Sequence, residues 1–179
     1  KTHRAYDIGI APVAVGLQKA LNCPLIRHDQ TRLLIDVNRT RRRALFSAFS
    51  RSLNGADKHY LIDAYAMPYR ERLRQTIRQA SVRGPVLHLS LHSFTPVLNA
   101  RQRKADVGLL YDPARRMETA FAVRFQRYLQ QQTALRIRRN YPYRGTADGL
   151  TTWLRTQLTA EYYGGIELEL NQALLRSLT

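Results

Sequence analysis

Cysteines, long apolar runs and acidic side chains are all scarce in this chain of 179 residues. Its single cysteine, Cys23, cannot form an internal disulfide, which favours a reducing, cytoplasmic location. No run approaches the roughly 18 apolar residues that a membrane span requires, and neither a signal peptide nor a Pro-, Gly- or Ser-rich linker is visible. These absences predict a single domain over residues 1–179 that has no membrane partner.

The shortage of acidic residues leaves 13 Asp and Glu against 29 Lys and Arg, and a net charge of +16. Such an excess is compatible with a polyanionic partner such as nucleic acid. However, the arginines are scattered along the chain, and no zinc-finger spacing, aromatic RNA-binding signature or basic zipper accompanies them. An arginine-rich, solvated surface is therefore the main interpretation, and nucleic-acid binding remains an alternative.

Apolar residues recur at helical and at strand spacing in alternation along the chain. Steps of three and four residues predict helices over Ile10–Leu21, Leu73–Ala80, Met117–Tyr128 and Leu150–Leu158. Short β-rich runs predict strands at residues 32–37, 86–91, 107–111, 135–139 and 166–170. We therefore expect an α/β fold, with a mixed, mostly parallel central sheet and helices on both of its faces.

Polar side chains collect on one face of three predicted strands, towards the carboxyl end of each strand. They are His88, Ser90 and His92 in VLHLSLH, Glu167 and Glu169 in GIELELNQ, and Asp36 and Asn38 in LLIDVNR, where Arg39 follows directly. In open α/β sheets, ligands bind in the crevice outside the carboxyl ends of the strands. If these strands are neighbours, His92, Asn38–Arg39 and Glu169 share one cleft.

Each of these groups also has an ordinary structural interpretation. A strand histidine is commonly a hydrogen-bonded structural residue, strand glutamates commonly face solvent, and Asp36 with Arg39 could form a simple ion pair. Their coincidence at three strand ends favours a site for metal-assisted amide hydrolysis. In such a site an imidazole binds Zn²⁺, the metal activates a water molecule, a glutamate transfers the proton, and an arginine binds a substrate carboxylate.

Five strings in order resemble the N-formylglutamate amidohydrolase family over essentially the whole chain: TRLLIDVNRT, LSLHSFTP, ADVGLLYDP, NYPYRGTADGLTTWLR and GIELELNQALL. The opening THRAYDIGI is similar to the family segment H-x-x-x-D-x-G. The resemblance implies a zinc-carboxypeptidase-like fold and a Zn²⁺ cofactor. It also implies hydrolysis of an N-acylated acidic amino acid, in the first place N-formyl-L-glutamate to formate and L-glutamate.

The resemblance implies roles for individual residues as well. Asn38 and Arg39 match the motif D-x-N-R and would bind a substrate carboxylate, while His92 matches H-S-F and would be a zinc ligand. Glu169, in LELNQ, would be the general base. Glu167, two residues earlier on the same face, is the alternative base.

The string NYPYRG matches the family's substrate-side loop. Tyr143 and Arg144 would therefore contact the substrate, with Arg144 as a second anion contact. Asp7 and Arg32 also lie in matching motifs. The resemblance leaves open whether they support the structure or belong to the active site.

The chain departs from the family pattern at its N-terminal end, because nothing before Lys1 supplies the strand whose Glu-His type motif brings the other zinc ligands. A hydrolytic zinc site needs three protein ligands and a water molecule, and the sequence offers only His92. His3 belongs to the H-x-x-x-D-x-G segment and is not counted. We expect that the strand and its metal motif are missing from this sequence. The alternative is a metal-free, catalytically inactive relative that acts as a basic nucleic-acid-binding module.

Overall fold

Seven α-helices and six β-strands lie within residues 5–176, the part of the chain that this computed structural model describes. The helices are α1 (Ile10–Leu21), α2 (Arg42–Leu45), α3 (Gly55–Leu61), α4 (Met67–Ser81), α5 (Arg116–Gln132), α6 (Leu150–Gln157) and α7 (Gln172–Leu175). The strands are β1 (Val86–Phe94), β2 (Val97–Leu98), β3 (Arg101–Gln102), β4 (Val107–Leu110), β5 (Ile137–Arg139) and β6 (Tyr163–Asn171). A π-helical turn, Ile62–Ala66, joins α3 to α4. None of these helices is long and apolar enough to cross a membrane.

A four-stranded sheet of order β1-β6-β4-β5 forms the centre of the fold. Strand β1 runs parallel to β6, and β4 runs parallel to β5, whereas β4 and β6 are antiparallel. Strands β2 and β3 form a separate antiparallel pair. The mixed, mostly parallel sheet predicted from the sequence is therefore confirmed.

Helices cover both faces of this sheet, because successive side chains of a strand point to opposite faces. On one face, Ile166 of β6 packs against Ala122 of α5. On the other face, Tyr163 of β6 packs against Leu73 of α4 and Leu154 of α6. Glu167 and Glu169 are an even number of residues from Tyr163, so they lie on the face of α4 and α6. The parallel register places His92 opposite Glu169 and His88 opposite Gly165 on the same face.

The strand predicted at residues 32–37 is wrong, because this segment folds as a series of turns. The backbone N–H of Ile35 donates to the carbonyl of Thr31, as in a single helical turn. Ile35 and Val37 are buried, but against residues of α2 and α3 rather than in the sheet. The alternation of apolar residues thus reflects burial under helices. The other four predicted strands correspond to β1, β4, β5 and β6, and the four predicted helices correspond to α1, α4, α5 and α6.

Candidate active site

A pocket of about 120 Å³ lies towards the carboxyl ends of β1 and β6. All seven residues to which the sequence assigned a function line it: Asn38, Arg39, His92, Tyr143, Arg144, Glu167 and Glu169. The rest of the lining comes from Asp7, Arg32, Ser93, Leu110, Ala147 and Asp148. The fold therefore brings to one place residues that are far apart in the sequence.

His92 lies opposite Glu169 in the register of β1 and β6. Its Nδ1 is 2.9 Å from Oδ2 of Asp7, and its Nε2 is 3.0 Å from Oγ of Ser90. Burial lowers the pKa of His92, but the hydrogen bond to Asp7 and the negative charges of Asp7, Glu169 and Glu167 outweigh burial and raise this pKa to about 9. The Nδ1–H of the ring donates to the Asp7 carboxylate, so Nε2 is the ring nitrogen that faces Ser90 and Asn38.

The two glutamates of β6 differ in their partners. Oε1 of Glu167 accepts a hydrogen bond from the Thr151 hydroxyl in the first turn of α6. Oε2 of Glu169 is buried and has no hydrogen-bond partner among the described residues. Burial raises the pKa of Glu169 to about 7, although the nearby positive charge of His92 opposes the shift. Glu169 thus has a carboxylate oxygen that a bound molecule could engage.

Asn38 reaches the pocket from a loop and is oriented by a contact with α6. Its Oδ1 accepts a hydrogen bond of 3.1 Å from the backbone N–H of Leu150. The amide nitrogen is consequently turned the other way and lies 3.5 Å from Nε2 of His92. The Asn38 side chain therefore presents N–H donors beside the imidazole.

Arg39 is held from two sides. Its Nη1 donates to the backbone carbonyl of Asp148 at 2.6 Å, and its Nε lies 3.8 Å from Oδ2 of Asp36. The ion pair with Asp36 that the sequence allowed is thus present, but it is long. A guanidinium has five N–H donors, and the Arg39 side chain is 40% exposed, so donors remain for a ligand.

The loop between β5 and α6 carries Tyr143 and Arg144 into the pocket lining. The Tyr143 hydroxyl accepts a hydrogen bond of 3.0 Å from Arg103, whose guanidinium lies 5.1 Å from the centre of the Tyr143 ring. Arg103 is buried and also stacks on Phe94, at the end of β1. Sequence reasoning missed Arg103, because nothing in its local sequence indicates this contact with the substrate-side loop.

Asp7 and Arg32 line the pocket and also hold other side chains of the site in place. The Arg32 guanidinium bridges Asp7 at 3.0 Å and Asp36 at 2.9 Å. Asp7 in turn holds His92. The two residues therefore form part of one charged network with the imidazole.

Asp148 also lines the pocket, and the sequence analysis missed it. An Asp next to a helical run is typical of a helix N-cap. Here the N-cap of α6 is Gly149, without a side-chain cap, and the Asp148 carboxylate instead accepts hydrogen bonds from Thr40. No local pattern signals a contact between residues so far apart in the chain.

Comparison with known proteins identifies the family. A family model described as N-formylglutamate amidohydrolase matches residues 1–176. The chain belongs to this family. The family is one of amidohydrolases, and membership supports a function of this type. No curated protein matches the chain.

Two crystal structures share the fold of this family member. A gene product from Agrobacterium tumefaciens is 23% identical, with a TM-score of 0.82, and the match covers 98% of this chain and 71% of that chain. An N-formylglutamate amidohydrolase from Ralstonia eutropha is 22% identical, with a TM-score of 0.64, and the match covers 80% of this chain and 62% of that chain. The family match does not support the alternative of a nucleic-acid-binding module.

The described residues do not make a complete zinc site. Within residues 5–176, no group of three or more His, Cys, Asp and Glu side chains is arranged to hold a metal ion. His92 does have the contact with a carboxylate that metal-ligating histidines usually show, because Asp7 holds its Nδ1. It is nevertheless one ligand, whereas hydrolytic zinc needs three.

Proposed function

We propose that this family member hydrolyses the amide bond of an N-acylated acidic amino acid, with N-formyl-L-glutamate as the substrate that the family match favours. One observation carries the proposal. The buried Oε2 of Glu169, which has no hydrogen-bond partner within residues 5–176, shares a pocket with the guanidinium of Arg39 and the imidazole of His92. A carboxylate with a free oxygen can move a proton, and a guanidinium binds a substrate carboxylate. The products would be formate and L-glutamate.

Substrate binding is assigned to four side chains that line the pocket. Arg39 and Arg144 supply two positive charges, which suits a substrate that carries two carboxylates. Asn38 offers its amide N–H groups, because its oxygen is engaged by Leu150. Tyr143, held by its hydrogen bond from Arg103, would form the side wall of the site.

Proton transfer is assigned to Glu169. Its Oε2 would take a proton from the attacking water while the water oxygen bonds to the acyl carbon. Glu169 would then donate that proton to the leaving nitrogen as the C–N bond breaks. Glu167 is less suited to this role, because its Oε1 is already bonded to Thr151.

Zn²⁺ remains part of the proposal, on the strength of the family resemblance. His92, held by Asp7, is the ligand that the described residues would supply. Because they lack a three-ligand set, the steps above are assigned to the side chains of the chain alone.

Formate release from N-formyl-L-glutamate tests the proposal, with Glu169→Gln and Glu167→Gln as a matched pair on the same face of the same strand. We expect Glu169→Gln to lower kcat by at least about 100-fold, because general-base catalysis contributes that much or more. Glu167→Gln should lower kcat by less than about tenfold, because it alters a side chain that hydrogen-bonds Thr151 and takes no part in the proposed proton transfer. Each protein is assayed with added Zn²⁺ and again after chelation, and its zinc content is measured.

Formate release by Glu169→Gln at the wild-type rate would refute its role as the base. If the wild-type protein releases no formate under either metal condition, N-formyl-L-glutamate is not the substrate. A series of N-acetyl and N-succinyl amino acids then tests other acyl groups. Full activity in zinc-free protein would refute the metal part of the proposal.

A further inference from the structure

The segment Asn38–Thr40 carries two proposed substrate-binding groups, yet it belongs to no helix or strand. Several of its hydrogen bonds reach residues 108 to 112 positions away in the chain, at the start of α6. The backbone carbonyl of Arg39 also accepts a hydrogen bond from the buried Arg70. Local hydrogen bonds from the backbone N–H groups of Asn38 and Arg39 to Asp36 form a turn, and the distant contacts tie this turn to α6.

Asp148 makes most of these contacts. Its backbone carbonyl accepts from Nη1 of Arg39 at 2.6 Å, and its Oδ1 accepts from the backbone N–H of Thr40 at 3.2 Å and from the Thr40 hydroxyl. Burial raises the pKa of Asp148, but the hydrogen bonds from Thr40 and Arg41 and the charge of Arg39 lower it overall. The side chain is thus an ionised acceptor, and charge-assisted hydrogen bonds are stronger than neutral ones.

Helix capping does not explain Asp148, because the N-cap of α6 is Gly149. The helix that follows is firmly anchored. Arg155 forms a buried ion pair with Glu118 of α5 at 2.9 Å, and Leu154 is 0% exposed. Asp148 therefore connects the loop of Arg39 to a rigid element.

We propose that Asp148 is a positioning residue that aims Arg39 at the substrate carboxylate. Its carboxylate fixes Thr40, its carbonyl fixes the Arg39 guanidinium, and both contacts tie the segment to the start of α6. Asp148 also lines the pocket, and its buried Oδ2 has no hydrogen-bond partner among the described residues; the role assigned to it here is exerted through Arg39. The inference rests on the proposed function for the identity of the substrate and for the role of Arg39 in binding its carboxylate.

Steady-state kinetics with N-formyl-L-glutamate tests the consequence for binding. We expect Asp148→Ala to raise KM about tenfold and to change kcat less than about threefold, because a lost hydrogen bond to a charged group weakens binding by that order. Asp148→Asn keeps the Oδ1 acceptor and should stay within about threefold of the wild-type KM. Thr40→Val removes the hydroxyl donor and should raise KM in the same direction as Asp148→Ala. Asp63→Ala changes an exposed aspartate and is the control.

The NMR signal of the Arg39 Nε–H group gives a readout that needs no activity; its assignment comes from its loss in Arg39→Lys. We expect this signal to show faster motional averaging of the Arg39 guanidinium in Asp148→Ala than in the wild type. Asp148→Asn should resemble the wild type. This pattern would support the positioning role. If that pattern is found in a protein that releases no formate, the proposed function fails and the inference stands. An unchanged Arg39 signal in Asp148→Ala would overturn it, and so would equal increases of KM in Asp148→Ala and Asp148→Asn.

Discussion

Neighbouring groups decide the charge of each imidazole on β1. His88 and His92 lie four positions apart on the same strand face, yet their pKa values shift in opposite directions. Burial lowers the pKa of His88 to about 4, and the positive charges of His92 and Arg155 act in the same sense. Only His92 has a carboxylate partner, Asp7. A strand histidine with an acidic partner is therefore the one suited to a site, whereas His88 hydrogen-bonds the Tyr163 hydroxyl and supports the structure.

The lowered pKa of His88 predicts a pH-dependent stability. Because this pKa is about 4 in the folded state and 6.5 ordinarily, the unfolded state binds the proton first as the pH falls. The contribution of neutral His88 to the free energy of unfolding is therefore fully present above pH 6.5, and it is lost progressively as the pH falls to 4. His88→Gln should lose less free energy of unfolding over this range than the wild type, by on the order of 2 to 3 kcal/mol.

Urea denaturation at several pH values measures this difference. His59→Gln, which replaces an exposed helical histidine, is the control and should keep the wild-type pH dependence. Parallel loss of stability in the wild type and in His88→Gln would show that His88 titrates normally.

Close approach of backbone atoms decides where the loop between β5 and α6 lies against β4. A Cβ atom on Gly108 of β4 would lie 2.0 Å from the carbonyl oxygen of Tyr141, and one on Gly145 would lie 2.1 Å from the backbone nitrogen of Tyr111. Oδ1 of Asn140 accepts hydrogen bonds from the backbone N–H groups of both Tyr111 and Gly145. Two glycines and the Asn140 amide thus set the position of a loop that carries four pocket-lining residues.

Gly108→Ala should therefore displace the loop. The new methyl group meets a backbone oxygen, so we expect a loss of roughly 2 to 4 kcal/mol in the free energy of unfolding and a higher KM for the substrate. Gly16→Ala in α1 is the matched control, because a Cβ atom there meets nothing within 4 Å. It should be neutral, or stabilising by up to about 1 kcal/mol. Equal stability and KM in the two variants would contradict the steric interpretation.

The whole molecule is dominated by its positive charge of +16. Arginines that pair with carboxylates include Arg27, Arg32, Arg39, Arg74, Arg136 and Arg155. Elsewhere basic side chains gather, as at the surface groove lined by Arg42, Arg43, Arg51 and Lys58 around Phe46. A net charge this far from zero destabilises a compact state by self-repulsion.

Salt should consequently stabilise the protein. Raising NaCl from about 10 mM to about 200 mM shortens the screening length from about 30 Å to below 10 Å, and we expect the Tm to rise. The double variant Arg43→Gln/Arg51→Gln lowers the charge of the groove and should show a smaller increase. Differential scanning calorimetry measures both. A Tm that falls with salt would mean that attractive ion pairs outweigh the repulsion.

Local sequence patterns predicted most of the helices and strands of the central fold, because such patterns depend only on the spacing of apolar residues along the chain. A period of two residues fixed which side chains of β1 and β6 share a face, and a period of 3.6 residues located α1, α4, α5 and α6. The motifs of the family resemblance supplied the pocket residues, and all seven line one cleft. The cytoplasmic location, the single domain and the zinc ion remain predictions.

The sequence by itself determined the faces of the strands and the identity of the polar groups, since alternation is a property of the covalent chain. Only the tertiary structure decided that residues 32–37 form turns under α2 and α3, because burial against helices and burial in a sheet leave the same apolar pattern. It also decided that Glu167 accepts a hydrogen bond from Thr151 and Asp148 from Thr40, whereas Oε2 of Glu169 has no such partner in the part of the chain that the structure describes. Hydrogen bonds between residues far apart in the chain depend on how the elements pack, and no local pattern contains that information.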